Sequence, residues 1–123
     1  MKTKFLSTIV VCLCFSISVA AQDYLNFTVT NNTGVDLQFI HVSESNKNYW
    51  GKDLIPDDVF LAGDTFIVSL PITKYTICAH DMKVTDFEDD YAILEGVNLC
   101  KYDKITLYFD RYGTLTWSLE VSN

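Results

Sequence analysis

From Tyr24 onward the chain alternates apolar and polar residues with a period of two, and no long stretch carries a helical period. Tyr24 to Thr30 places Leu25, Phe27 and Val29 on one face. Thr65 to Leu70 does the same with Phe66, Val68 and Leu70, and Lys104 to Asp110 with Ile105, Leu107 and Phe109. Thr114 to Val121 aligns Leu115, Trp117, Leu119 and Val121, which assigns Trp117 to the core. Further strands are expected over Val35–Val42 (Val35, Leu37 and Phe39 on one face), Tyr75–Thr85 and Tyr91–Glu95. Asn31-Asn32-Thr33-Gly34 reads as a hairpin turn, because Asn and Gly adopt positive φ cheaply. Arg111-Tyr112-Gly113 reads as another, Pro71 as a strand end, and Pro56 to Phe60 as a short helical turn. Short strands at this spacing predict an all-β fold, an antiparallel sandwich of seven or eight strands, immunoglobulin-like in outline.

The strands are preceded by a different kind of segment. Lys2 and Lys4 open it, Phe5 to Val19 is apolar, and Val19-Ala20-Ala21 offers small residues for cleavage. This is the layout of a secretory signal peptide over residues 1–21, leaving 22–123 as one β-sandwich domain. The apolar run is too short for a stable membrane span. Cys12 and Cys14 leave with it, while Cys78 and Cys100 stay in a secreted or periplasmic chain, where a disulfide persists. A Cys78–Cys100 staple is the expectation, with two free thiols as the alternative. Closing so short a loop is worth roughly 3 kcal/mol in the chain-entropy account.

Loss of Lys2 and Lys4 leaves seven basic residues against 16 acidic ones, a net charge of −9. Such a surface repels nucleic acid and anionic lipid and suits cations or basic partners. The densest acidic stretch is Asp86, Glu88, Asp89 and Asp90. A hard cation such as Ca²⁺ would relieve repulsion there, although the spacing is not that of an EF-hand loop. The long polar connection Ser43–Asp58 carries Tyr49, Trp50 and Asp53, a candidate loop for stacking on a glycan or gripping a protein. The architectural reading of Trp50, a plug over the sandwich end, is favoured. His41 and His80 each sit in an expected strand without a partner and read as structural. No nucleophile elbow, zinc-protease helix, phosphate loop or dinucleotide fingerprint is present, so no enzyme and no cofactor are expected. Asn26-Phe27-Thr28 and Asn31-Asn32-Thr33 match the glycosylation sequon.

Asn32-Thr33-Gly34, Trp50-Gly51-Lys52-Asp53, Cys78 with Asp81 and Val84, and Asn98-Leu99-Cys100 follow one another in an order that resembles a group of small exported bacterial proteins. The resemblance spans most of the mature chain. It implies a one-domain β fold, an extracytoplasmic location and no catalytic residues. Some members of that group are labelled argininosuccinate lyase, a large helical enzyme that a chain of this length cannot form. The chain departs from the group's pattern in two places: Asp86 to Asp90 holds no Asp-Gly turn, and Ile55 stands where a Leu is usual. For Trp50-Gly51-Lys52-Asp53, physical chemistry supplies an architectural role: a sharp bend at Gly51, an apolar cover from Trp50, and capping of backbone amides by Asp53. The expected function is an exported, non-enzymatic interaction or envelope protein with a protein or glycan partner. A Ca²⁺- or glycan-binding module using the acidic turn or the Trp50 loop is the alternative.

Overall fold

The computed structural model describes residues 22–122, so the leader with Cys12 and Cys14 lies outside the described residues. Seven strands run in chain order: β1 (Asp23–Asn31), β2 (Leu37–Glu44), β3 (Thr65–Ile72), β4 (Ala79–Asp86), β5 (Tyr91–Asn98), β6 (Lys104–Phe109) and β7 (Leu115–Glu120). They form a four-stranded sheet ordered β3-β1-β6-β7 and a three-stranded sheet ordered β2-β4-β5. The protein is an all-β sandwich, divided four and three as in the immunoglobulin outline. Its strand order is its own, with β1 parallel to β6 and every other pair antiparallel.

The core is the inward half of the alternation. The larger sheet contributes Phe27, Val29, Val68, Ile105 and Leu107, and the smaller contributes Leu37, Ile40, Met82, Val84 and Leu94. Each such side chain gains roughly 1.5–3 kcal/mol from leaving water. Trp117 packs against this cluster without being enclosed by it, because β7 is an edge strand. This corrects the expectation of a fully interior tryptophan.

Five local expectations also change. Asn31 to Gly34 does not form a hairpin: β1 already pairs with β3 and β6, and the chain crosses to the other sheet. Asn31 is fully buried at that crossing. Its Nδ2 donates to the carbonyls of Val35 and Phe60, and its Oδ1 accepts from Thr33 N and Oγ1. A register shift between Leu37 and Phe39 turns Phe39 outward while Leu37 and Ile40 face the core. β3 runs through Pro71 to Ile72, which an edge strand permits. Residues 56–58 form bends and Phe60 a bridge to Leu37 rather than a helical turn, and the fourth strand starts at Ala79 instead of Tyr75.

Candidate functional site

Most of the motifs singled out in the sequence have polar groups occupied in holding the sandwich together. Asp53 Oδ1 accepts the amides of Ile40 at 3.0 Å and Ile55 at 3.1 Å, so it ties the long connection to β2. His41 Nδ1 lies 2.8 Å from the carbonyl of Gly51. A Cβ at Gly51 would sit 2.8 Å from the Val42 carbonyl oxygen, so close approach requires glycine there. Bridges His41–Asp53 and Leu37–Phe60 lay this connection along the outer edge of β2, covering its unpaired backbone groups. Trp50 is half-buried beside Gly51, and Tyr49 projects into solvent.

Asn98 Oδ1 accepts the amides of Cys100 and Lys101, while Leu99 is buried and donates its amide to the Cys78 carbonyl. Cys78 and Cys100 are joined in a disulfide with their Cα atoms 5.2 Å apart. His80 is buried, its Nδ1 3.0 Å from the Cys78 carbonyl. Asp81, opposite a bulge in β5, accepts from Ser45 Oγ and from the amide of Gly96, whose φ of 66° makes the bulge. Neither histidine meets a carboxylate in a catalytic pair. Asn31 of the second sequon is sealed in the interior.

The acidic turn closes on itself. Asp86 Oδ1 accepts the amides of Glu88 at 2.8 Å and Asp90 at 3.0 Å, and the Asp86 amide donates to the Asp90 carbonyl. Asp89 takes the left-handed conformation, φ 66°, in place of a glycine. Among the described residues no three Asp, Glu, His or Cys side chains converge as metal ligands. Asp86, Glu88, Asp89 and Asp90 lie in a hairpin turn that Asp86 caps through its own carboxylate.

What the turn does help to build is a cleft. The β4–β5 and β6–β7 hairpins reach the same end of the sandwich, and between their tips lies a concavity of about 440 Å³. Buried Leu37 and Val84 lie deepest, with Ala92 and Leu115 beside them. Tyr91, 62% exposed, and Phe109, 43% exposed, are its aromatic members, and Val35 is a further apolar one. Asp86, Asp90 and Thr114 supply the polar groups. The volume lies in the range of ligand sites, roughly 300–1,000 Å³. Of this set the sequence singles out Asp86 and Asp90 as carboxylates and Tyr91 as an aromatic able to stack on a partner. Phe109 and Leu115 did show a signal: each is the last or first member of an alternating apolar set beside a turn, where a side chain is only partly covered.

No family model matches the chain, and no curated protein matches it. In structure it is similar to a protein from Eubacterium rectale solved by NMR, with a TM-score of 0.59 and 10% sequence identity. The match covers 87% of this chain and 98% of that one. At that identity the likeness is one of fold, and it places the chain among proteins that carry this β-sandwich.

Proposed function

We propose that the protein is an exported, non-enzymatic interaction protein that holds its partner in the end cleft. The observation that carries this reading is the cleft itself: an apolar concavity with two carboxylates and a hydroxyl. No histidine or cysteine lines it. Asp53, Gly51, Asn98 and Asp81 serve the scaffold, whereas the cleft brings exposed Val35, Tyr91 and Phe109 together in one concavity. The signal-peptide layout of residues 1–21 supports export. So does the disulfide. Membership of the small exported bacterial group belongs to the same proposal. Its supporting residues, Thr33, Gly51, Asp53 and Asn98, are those that anchor turns here.

Two measurements test the proposal. Mass spectrometry of the protein recovered from its source should find the N-terminus near Gln22. Capture from native extract by the oxidised protein should be abolished by Ala92→Arg, which fills the cleft, and kept by Trp50→Ala. Capture that depends on Trp50 and ignores Ala92 would move the site to the long connection and overturn the cleft.

A further inference from the structure

The four sheet edges of the sandwich are treated differently. The outer edge of β2 is covered by the connection through Asp53 and Phe60. The outer edge of β3 carries Pro71, which has no amide to offer. β5 and β7 are the remaining edge strands, one from each sheet; each pairs on its inner side, with β4 and β6, and no segment among the described residues pairs with the outer edge of either. They approach each other on one side of the sandwich, and the cleft opens between their ends, at Tyr91 and Ala92 of β5 and Leu115 of β7. Unpaired backbone beside an apolar recess is the arrangement that receives an extended polypeptide as an added strand.

Charge selects the kind of polypeptide. The cleft contains Asp86 and Asp90 and no basic side chain. Lys83 and Arg111, the cations nearest in sequence, are not lining residues: the Lys83 ammonium lies 4.6 Å from the ring centroid of Tyr91, at the rim of the cleft, and the Arg111 guanidinium lies 4.8 Å from that of Tyr112. The exported chain carries a net charge of −9, so the long-range field also favours a cation. We infer that the occupant is an extended segment of a partner polypeptide in which apolar residues alternate with lysine or arginine. Its apolar side chains enter the recess over Leu37 and Val84, a basic side chain meets Asp86 or Asp90, and its backbone pairs with the β5 or β7 edge. This rests on the reading of the cleft as the partner site.

The test uses the disulfide-bonded protein, uniformly ¹⁵N-labelled, and three end-blocked peptides of alternating valine with lysine, glutamine or glutamate. The lysine peptide should shift the amides of Ala92, Phe109 and Leu115 and bind at least tenfold more tightly than the glutamate peptide at low salt. Asp86→Asn with Asp90→Asn should bring its affinity down to that of the glutamine peptide. Asn at position 86 keeps an oxygen for the two turn amides, so the fold is retained. Asp57→Asn with Asp58→Asn removes the same charge away from the cleft and should leave affinity within twofold. Equal binding of all three peptides at the cleft would overturn the charge argument and leave the cleft as a partner site. Equal loss in the Asp57/Asp58 variant would reduce the effect to net charge and overturn the inference. Shifts produced as well by N-acetyl-lysine amide as by the peptide would show a small-cation site and overturn it too. No shift at the cleft with any peptide would overturn this inference together with the proposed function.

Discussion

The β4–β5 and β6–β7 hairpins are built on one plan with different materials. At the tip of each an aspartate, Asp86 or Asp110, accepts two amides through Oδ1, at 2.8 and 3.0 Å in both cases. The same aspartate donates its own amide to the residue four positions on. The residue before that takes positive φ: Asp89 at 66° in one turn and Gly113 at 80° in the other. At the open end β4–β5 is clasped covalently by Cys78–Cys100. There β6–β7 is clasped by the Asp103 carboxylate, which accepts from the Ser122 amide and hydroxyl. The pair shows that the leading aspartate frames the turn, whereas the left-handed position and the clasp are separate choices whose contributions can be measured one at a time.

The covalent clasp should give the largest effect. Cys78→Ser should cost about 2–5 kcal/mol, the range for a small secreted domain that loses a disulfide. Chemical denaturation of the variant and the parent measures it directly. Hydrogen exchange should then rise most along β4 and β5, with β6 and β7 rising less. Equal increases in all four strands would mean that the two hairpins do not open independently, and the comparison between their clasps would fail.

The tips come next. Gly113→Ala forces a Cβ into a left-handed conformation with open space around it, so the cost is conformational, about 1–2 kcal/mol. Asp89→Gly runs the other way. It relieves the same conformation, partly offset by the greater chain entropy of glycine, for a net gain of up to about 1 kcal/mol. Thermal melts of the two variants decide the matter. A destabilising Asp89→Gly would show that the Asp89 side chain contributes something that the shared frame omits.

These two turns also measure how far the sequence could be read. Arg111-Tyr112-Gly113 was legible because glycine announces positive φ. Asp86 to Asp90 was legible as an acidic turn but not in its construction, since nothing in the letters says that Asp89 substitutes for glycine or that Asp86 spends its carboxylate on amides. Alternation identified Phe27, Val29, Ile105 and Leu107 as buried, because period two reports a face directly. It is silent on which strand lies alongside, so the crossing at Asn31 was read as a hairpin. The cleft was the least legible feature. Val35, Ala92, Phe109 and Thr114 come from three distant segments, and the gap between them exists only once both hairpins are placed. Asp53 was readable in the opposite sense. A short carboxylate after Gly51 suits amide capping, and that is its task.

The smallest expected effect separates the two clasps by pH. The Asp103 pKa is lowered below its ordinary value of 3.8, first by the Ser122 hydroxyl and then by the Ser122 amide, both of which favour the ionised carboxylate. A lowered folded-state value means that the clasp contributes fully above the unfolded pKa and is lost as pH falls through the folded one. The Ser122 amide resonance should therefore follow a titration whose midpoint lies below 3.8. Asp103→Asn should remove that movement. Residues beside Cys78 and Cys100 should show no counterpart, because a disulfide does not titrate. Asp103 is at the surface, so global stability should barely register the change, and the resonance is the proper readout. A Ser122 midpoint at or above 3.8 would mean that the carboxylate gains nothing from Ser122 in solution, leaving β6–β7 held by its turn and strand pairing alone.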